Sequence, residues 1–268
     1  MKAIILAAGE GKRLRPLTNL KPKCMVELFG KSLLMHNIEL LRSCGVTDIS
    51  VVTGYMSESI SIPNVSCFHN PNFANTNMIE TLFCAKEKLV NSVIISYADI
   101  IYEKSVLKSI INSNDDMSII FDKQWERYWK LRFDNPLDDA ESLIVDDENF
   151  VTNIGQKVKD ILKIQGQYIG LMKFQNLGIK HLIDFYETSK KISVGGINPL
   201  NTTLPFEKSY MTDLLQGLID NGFKIRGIPI KNGWLEIDSI TDYEIYKKMS
   251  ENNQLSSYFS LENMINKK

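Results

Sequence analysis

The sequence has few of the features that mark secreted, membrane or zinc-binding proteins. Its 268 residues include four cysteines, which lie 20, 23 and 17 residues apart without a CxxC pair or a zinc-ligand spacing. The three histidines show no metal spacing either. No apolar run reaches the ~18 residues that a membrane-spanning helix needs. We therefore expect a cytoplasmic protein without disulfide bonds and without a membrane partner.

Net charge is also nearly absent, at −1, which argues against a nucleic-acid partner bound through a generally basic surface. Apolar residues are 44% and charged residues 24%, so disordered and fibrous classes are excluded. The first eight residues resemble a signal peptide, but their apolar core is six residues long and runs directly into residues 9–13, GEGKR, which contradicts that interpretation. The oligomeric state stays open, with a homo-oligomer as one alternative.

The first half of the chain alternates between strand and helix patterns. Five apolar runs predict buried strands, at residues 3–8, 49–52, 65–68, 93–95 and 117–121. Helical patterns lie between them, at 33–41 after the capping Ser32, at 77–89 and at 106–111. This alternation predicts an α/β fold with a doubly wound, Rossmann-like sheet, parallel in this half and mixed over the whole chain.

The pattern changes at about residue 124. Shorter segments predict β structure at 125–133, 142–145, 150–154 and 168–174, which would form a smaller β-rich lobe beside the sheet. Helices are predicted again at 177–186 and 211–221, followed by a strand at 224–230. The segment 234–238 then leads into a last helix through Ile245, and the tail after Ser250 is expected to be a surface helix or partly frayed.

Charge is unevenly distributed between two segments. Residues 1–31 carry seven cations and two anions, a local balance of +5, and residues 134–148 carry seven acids and no base. In the basic segment the first strand ends in a loop with two glycines, LAAGEGKR at 6–13, where ligands bind in open α/β sheets. Glycines let the backbone approach a phosphate, and Lys12 and Arg13 add positive charge. The loop is neither GxGxxG nor a Walker motif, and two glycines alone would favour a structural turn.

The longer pattern resembles the signature of nucleotidyltransferases, which join a phosphorylated acceptor to a nucleoside triphosphate. It comprises LAAGxGxR, Leu14-x-Pro16-Leu17-Thr18 and Lys21-Pro22-Lys23. The segment 75–82 is similar to the Asn-rich segment of choline-phosphate cytidylyltransferases, whereas Tyr97-Ala98-Asp99 departs mildly from the Gly-Asp that the wider family has. The segments 125–141, 154–157, 165–170, 211–213 and 234–238 resemble a cytidylyltransferase branch for small phosphorylated amines or amino acids, and most closely the phosphoglutamine cytidylyltransferases of capsule modification.

The resemblance implies transfer of CMP from CTP to an acceptor phosphate, with Mg²⁺ and release of pyrophosphate. It implies metal ligands at Asp99 and Asp238, and catalytic cations at Arg13, Lys23 and Lys157. The nucleotide would contact residues of the loop, the Asn-rich segment and the segment after the predicted strand at 93–95: Leu6, Ala7, Ala8, Gly9, Gly11, Lys12, Asn77, Thr81, Tyr97 and Ala98. An amide such as Asn77 can complement the donor and acceptor edge of cytosine, although a helix cap explains Asn77 equally well.

The acceptor would be a small molecule bound by the acidic, aromatic segment. Its candidate ligands are Trp129, Arg132, Asp139, Glu141, Tyr168 and Asp213, with Trp125, Tyr128 and Asp138 beside them. Aromatic faces and carboxylates together would suit an ammonium group. Arg132 could pair with a carboxylate, which would favour an amino-acid acceptor over choline. Taken singly, each of these residues is as readily explained as core or solvated surface.

A single domain is predicted, in three parts. Residues 1–123 form the nucleotide-binding core, 124–235 the acceptor-binding lobe with a return to the sheet, and 236–268 the second metal aspartate and the C-terminal helices. One alternative is a sugar-1-phosphate nucleotidyltransferase that uses UTP or dTTP, since it would share the loop and the aspartates. A second is a non-catalytic nucleotide-sensing subunit, and a dinucleotide oxidoreductase is a distant third because the third glycine is missing.

Overall fold

The computed structural model describes residues 1–264, in which thirteen strands and eight α-helices are defined. The strands are β1 (Lys2–Ala7), β2 (Glu27–Leu28), β3 (Lys31–Ser32), β4 (Asp48–Thr53), β5 (Ser66–His69), β6 (Ser92–Tyr97), β7 (Ile100–Tyr102), β8 (Met117–Asp122), β9 (Glu141–Val145), β10 (Val151–Lys157), β11 (Gln167–Gln175), β12 (Arg226–Ile230) and β13 (Trp234–Glu236). The helices are α1 (Leu33–Ser43), α2 (Met78–Phe83), α3 (Lys104–Ile111), α4 (Trp125–Arg132), α5 (Leu177–Ser193), α6 (Met211–Asp220), α7 (Ile240–Glu251) and α8 (Leu261–Met264).

Seven strands form the central sheet, in the order β12-β8-β11-β6-β1-β4-β5. β11 is antiparallel to both of its neighbours, and the other pairs are parallel. The predicted mixed α/β sheet is therefore confirmed. β1 lies between β4 and β6, so its short apolar run is buried on both faces, as a strand in the middle of such a sheet requires.

The sheet separates two apolar cores because successive side chains of a strand point to opposite faces. On β1, Ala3, Ile5 and Ala7 pack into the core that α1, α3, α4, α7 and α8 cover. Ile4 and Leu6 pack into the other core, beneath α2, α5 and α6. Helices on both faces are what the alternation of strand and helix patterns predicted.

Two predicted segments of the β-rich lobe have a different structure. The prediction of a strand at 125–133 is wrong. This segment forms α4, because Trp125, Tyr128, Trp129 and Arg132 recur at the spacing of one helical face and are all buried. The segment 168–174 is a strand, but as β11 it belongs to the central sheet between β8 and β6. The lobe is thus reduced to the β9–β10 hairpin, which packs against α6.

Other boundaries differ for local reasons. The helix predicted over 77–89 ends at Phe83 and is followed by a short 3₁₀ turn at Lys86–Lys88. The tail after Ser250 is not frayed over its described part, since Leu255, Phe259 and Met264 are buried in the core. Its last four residues, 265–268, lie outside the described residues. Within residues 1–264, no helix combines the length and the apolar character needed to cross a bilayer.

Candidate active site

A cavity of about 450 Å³ opens where β1 and β6 end, at the carboxyl edge of the sheet. Most of the predicted nucleotide and metal residues line it: Leu6, Ala8, Gly9, Gly11, Lys12, Arg13, Lys23, Asn77, Thr81, Tyr97, Asp99 and Asp238. Ala7 and Ala98 do not, because both are buried, and the side chain of Ala7 faces the core. Lys157 does not line this cavity either. The structure therefore brings together residues from four separate parts of the chain.

Gly11 shapes the loop at the mouth of this cavity. Its φ of 71° lies in the left-handed region, which side-chain-bearing residues rarely adopt. Its carbonyl accepts hydrogen bonds from the amide of Leu14 at 2.9 Å and from the buried hydroxyl of Thr18 at 2.8 Å. A Cβ at this position would lie 2.9 Å from Cβ of Lys23. The glycine therefore lets the stem of Lys23 pass close against the loop.

Lys23 lies between two carboxylates. Its Nζ is 2.7 Å from Oδ2 of Asp99 and 2.7 Å from Oδ1 of Asp238, and Arg13 donates to the other oxygen of Asp238. Burial by itself would lower the pKa of Lys23, but the two aspartates outweigh it and raise that pKa well above its usual value. Burial would raise the pKa of Asp238, but Lys23 and Arg13 hold it below its usual value. The ammonium and the carboxylate of this pair are therefore both charged at neutral pH.

The two aspartates meet through a small ladder outside the central sheet. Asp99 stands between β6 and β7, and Asp238 follows β13, which pairs antiparallel with β7. The amide of Ile237 donates to the carbonyl of Asp99 at 2.9 Å, which closes the ladder beside both carboxylates. Asp238 therefore follows a strand of this small ladder and not a strand of the central sheet, and its side chain converges with that of Asp99.

The chemistry of these carboxylates can be compared with that of a divalent cation site. Oδ1 of Asp99 is buried and has no hydrogen-bond partner among the described residues, which leaves a hard oxygen donor unused. In residues 1–264 no group of three His, Cys, Asp or Glu side chains could hold a metal ion. Magnesium commonly takes one or two carboxylates and completes its shell with water and substrate phosphate oxygens. Asp99 and Asp238 fit that kind of site.

Asn77 caps α2, which is one of the two roles that the sequence predicted for it. Its Oδ1 accepts from the amide of Met78 at 2.9 Å, and its Nδ2 donates to the carbonyl of Lys208 at 3.3 Å. The hydroxyl of Thr81 donates to the carbonyl of Asn77 and accepts from Asn70 at 3.0 Å. Both predicted base ligands line the cavity, but their polar groups already have partners within the protein.

A second cavity of about 220 Å³ adjoins the first and shares Met78 and Tyr97 with it. Its polar wall is acidic and its apolar wall aromatic: the lining includes Asp139, Glu141, Glu236, Trp129, Tyr168, Tyr210 and Trp234. Among residues 1–264, no lysine or arginine lines it. Burial, with Asp139 and Asp213 nearby, raises the pKa of Glu141 to about 7, although Lys157 opposes the shift.

Three of the predicted acceptor ligands lie at or beside this cavity and are held by contacts with other residues of the protein. Trp129 is buried and its indole Nε1 donates to Oδ2 of Asp139 at 3.1 Å. Tyr168 lies edge-on to Tyr97, with ring centroids 6.1 Å apart. Asp213 does not line the cavity, because it caps α6 by accepting from the amide of Tyr210 at 2.7 Å.

The remaining candidates lie elsewhere. Lys157 is exposed at the end of β10, directly across the ladder from Glu141. Trp125 and Tyr128 belong to the apolar core, and Asp138 is bound by Asn135. The guanidinium of Arg132 is buried and bonded to carboxylates of the protein, so it does not line the second cavity.

Glu236 is the acidic wall residue that sequence reasoning missed. It lies two positions before Asp238, in a segment quoted for its resemblance to cytidylyltransferases. Two-residue spacing in an extended segment places side chains on one face, and this signal could have identified it.

This sheet, with its glycine loop and its paired aspartates, defines a nucleotidyltransferase. The chain belongs to the family of MobA-like NTP transferase domains, whose model matches residues 3–149. It is 38% identical over 256 residues to the CTP:phosphoglutamine cytidylyltransferase of Campylobacter jejuni, covering 91% of this chain and 98% of that protein. It is 35% identical over 117 residues to the choline-phosphate cytidylyltransferase of Streptococcus pneumoniae, covering 42% and 51%.

Solved structures share the fold. The CTP:phosphocholine cytidylyltransferase from Streptococcus pneumoniae aligns with a TM-score of 0.70 at 22% identity, over 93% of this chain and 98% of that one. The inositol-1-phosphate CTP transferase from T. maritima aligns with a TM-score of 0.68 at 22% identity, over 93% and 96%. These structures confirm the predicted fold, and the family model together with the 38% identical relative confirms the predicted nucleotidyltransferase class.

Replacing Gly11 with alanine tests how the loop positions Lys23. Gly11→Ala should lower kcat for nucleotidyl transfer by about 10- to 100-fold, because the added Cβ displaces the Lys23 stem. Gly45→Ala is the matched control: its φ is 83°, but a Cβ there meets nothing within 4 Å. Both variants should lose about 1–2 kcal/mol of unfolding free energy from the backbone strain. Equal kcat values in steady-state assays of the two variants would contradict the assignment.

Proposed function

We propose that the chain is a CTP-dependent cytidylyltransferase that transfers CMP to the phosphate of a small amine-bearing acceptor, with phosphoglutamine as the first candidate. The observation that carries the acceptor class is the second cavity, where three carboxylates and several aromatic rings face a space that no lysine or arginine of the described chain lines. Such a wall suits an ammonium group. The 38% identity to a CTP:phosphoglutamine cytidylyltransferase over nearly its whole length supports the same choice. A role in capsule modification stays a prediction.

In the proposed reaction an oxygen of the acceptor phosphate attacks the α-phosphorus of CTP, and the bond to pyrophosphate breaks. The barrier falls mainly through positioning and through neutralisation of charge on the phosphate oxygens. Arg13 and Lys12 lie on the loop where the triphosphate would bind, and Lys23 lies behind it. Tyr97 and Met78 border both cavities, so the acceptor phosphate and the nucleotide would meet beside them.

Asp99 and Asp238 would hold Mg²⁺, which supplies positive charge to the triphosphate oxygens when it is bound. The unpartnered Oδ1 of Asp99 supports this assignment. The backbone of Ala8 and Gly9 remains the proposed contact for cytosine, with Asn77 and Thr81 shaping the wall of the cavity. Lys157 would act from the rim, across from Glu141, on the acceptor phosphate.

The direct test is pyrophosphate release with Mg²⁺ across a grid of substrates. CTP, UTP, dTTP and ATP are each combined with phosphoglutamine, phosphocholine, aminoethylphosphonate and glucose-1-phosphate. We expect release with CTP and an amine-bearing acceptor, and its loss in Asp99→Asn. Release with glucose-1-phosphate alone would instead make the chain a sugar-phosphate nucleotidyltransferase. CTP binding without release in any combination would favour the nucleotide-sensing subunit.

Replacing Lys23 or Arg13 of the first cavity with alanine should slow the reaction without unfolding the protein. Lys23→Ala and Arg13→Ala should each lower kcat by about 10²–10³, the usual effect of losing one preorganised donor. Lys2→Ala is the control, since Lys2 forms an ion pair with Asp48 at the opposite end of β1. Near-normal turnover in both Lys23→Ala and Arg13→Ala would refute their assignment.

Glu141 should govern the affinity for the acceptor. Glu141→Gln should raise the acceptor KM by about 10- to 100-fold with little change in the KM for CTP, since a hydrogen bond to a charged group contributes about 1.5–3 kcal/mol. Glu148→Gln, an exposed change in the same acidic segment, is the matched control. An unchanged acceptor KM in Glu141→Gln would count against the ammonium site.

The same carboxyl predicts a pH dependence. With a pKa of about 7, Glu141 is protonated below that pH and loses its attraction for a cation. The acceptor KM of the unaltered protein should therefore fall as pH rises from 6 to 8, whereas Glu141→Gln should lose this component. Titration of the acceptor phosphate affects both proteins alike, so the difference between their KM profiles isolates Glu141. Parallel profiles would show that another group is responsible.

A further inference from the structure

We infer that Arg132 is a positioning residue. Its buried guanidinium orients the wall of the acceptor cavity directly and the carboxylate of Asp238 through Asp242. The inference rests on the proposed function for the names of the two substrates, but its geometry is independent of them. Arg132 ends α4, and its side chain is 1% exposed. A charge so fully buried destabilises the fold unless it is paired and hydrogen-bonded, and here the hydrogen bonds of the three guanidinium nitrogens are divided between two separate groups.

The first group is Glu236, on the wall of the acceptor cavity. Nη1 of Arg132 donates to its Oε2 at 2.6 Å. The backbone of Glu236 is held as well, since its amide donates to the hydroxyl of Tyr128 at 2.8 Å and its carbonyl accepts from Tyr246 at 3.0 Å. The guanidinium also lies 5.4 Å from the ring centre of Trp129, which lines the same cavity. Arg132 therefore supports two acceptor-wall residues at once.

The second group is Asp242, which holds the segment carrying the metal aspartate. Arg132 donates to Asp242 through Nε at 2.9 Å and through Nη2 at 3.3 Å. Oδ2 of Asp242 also accepts from the backbone amides of Asp238 at 3.0 Å and Ser239 at 2.9 Å. The contact to Ser239 is half of the capping box that begins α7. The orientation of Asp238 toward Lys23 therefore depends on a carboxylate that Arg132 fixes.

Arginine is required because its planar fork serves both carboxylates. Nε and Nη2 point to Asp242 while Nη1 points to Glu236, an arrangement that a lysine ammonium on a flexible stem cannot reproduce. An ion pair that only stabilised the fold would leave substrate binding unaffected when its geometry was altered. A shared positioning residue must instead affect both substrates together.

Arg132→Lys keeps the charge and removes the fork, and it is the first test. Losing a contact that orients a ligand-binding residue commonly weakens affinity by about 10- to 100-fold. We expect an increase of that size both in the acceptor KM and in the dissociation constant of CTP with Mg²⁺, measured by calorimetry. Arg226→Lys is the matched control, since Arg226 makes a similar two-nitrogen contact to Asp115 and lines neither substrate cavity. A lower melting temperature with both constants unchanged, or a change in only one of them, would overturn the inference.

Asp242→Asn tests the two arms of the Arg132 contacts, to Glu236 and to Asp242, separately. It is also a second test in case the Arg132→Lys protein does not fold. It weakens the link to Asp238 and retains the link from Arg132 to Glu236, so it should weaken binding of CTP with Mg²⁺ more than it raises the acceptor KM. Equal effects on both would contradict the two-armed arrangement. If no acceptor supports transfer, the proposed function fails on the substrate grid, whereas equal CTP affinities of Arg132→Lys and Arg226→Lys in calorimetry would still overturn this inference.

Discussion

The ammonium group of Lys23, placed between the carboxylates of Asp99 and Asp238, is the interaction on which the rest of the site depends. Each contact is 2.7 Å long, and the partners come from positions up to 215 residues apart. Two carboxylates brought together away from water repel each other unless a cation compensates them. The protein supplies that cation itself through Lys23, which passes close against the glycine loop, and this requirement draws Lys23, the end of β6 and the segment after β13 to one point.

The same constraint explains how two substrates can be handled side by side. Glu236 and Asp238 are two positions apart, yet Glu236 lines the proposed acceptor cavity and Asp238 the proposed nucleotide cavity. The β7–β13 ladder holds this segment against Asp99, and Arg132 with Asp242 holds it from the other side. A rigid segment between the cavities is suited to a reaction in which groups on two molecules must meet in line.

Sequence reasoning succeeded where one local rule applied and failed where two patterns overlapped. The apolar run of β1 could only be a strand buried on both faces, and Ser32 caps α1 by accepting from the amide of Met35 as expected. The segment 125–133 was misassigned because its aromatic residues favour strands, whereas their spacing of three and four places them on one helical face. Arg132 was interpreted as an acceptor ligand because its burial could not be seen.

The sequence by itself determined the class of the protein, since the long loop signature, the alternation of strand and helix patterns in the first half and the two aspartates are local patterns that need no knowledge of packing. Only the tertiary structure decided which charged groups face a ligand and which face each other. Arg132 and Asp242 are 110 residues apart, and Lys23 and Asp99 are 76 apart. Ion pairs at such separations arise from how helices and strands pack. The hydrophobic periodicity of a single helix or strand does not show which other elements will pack against it.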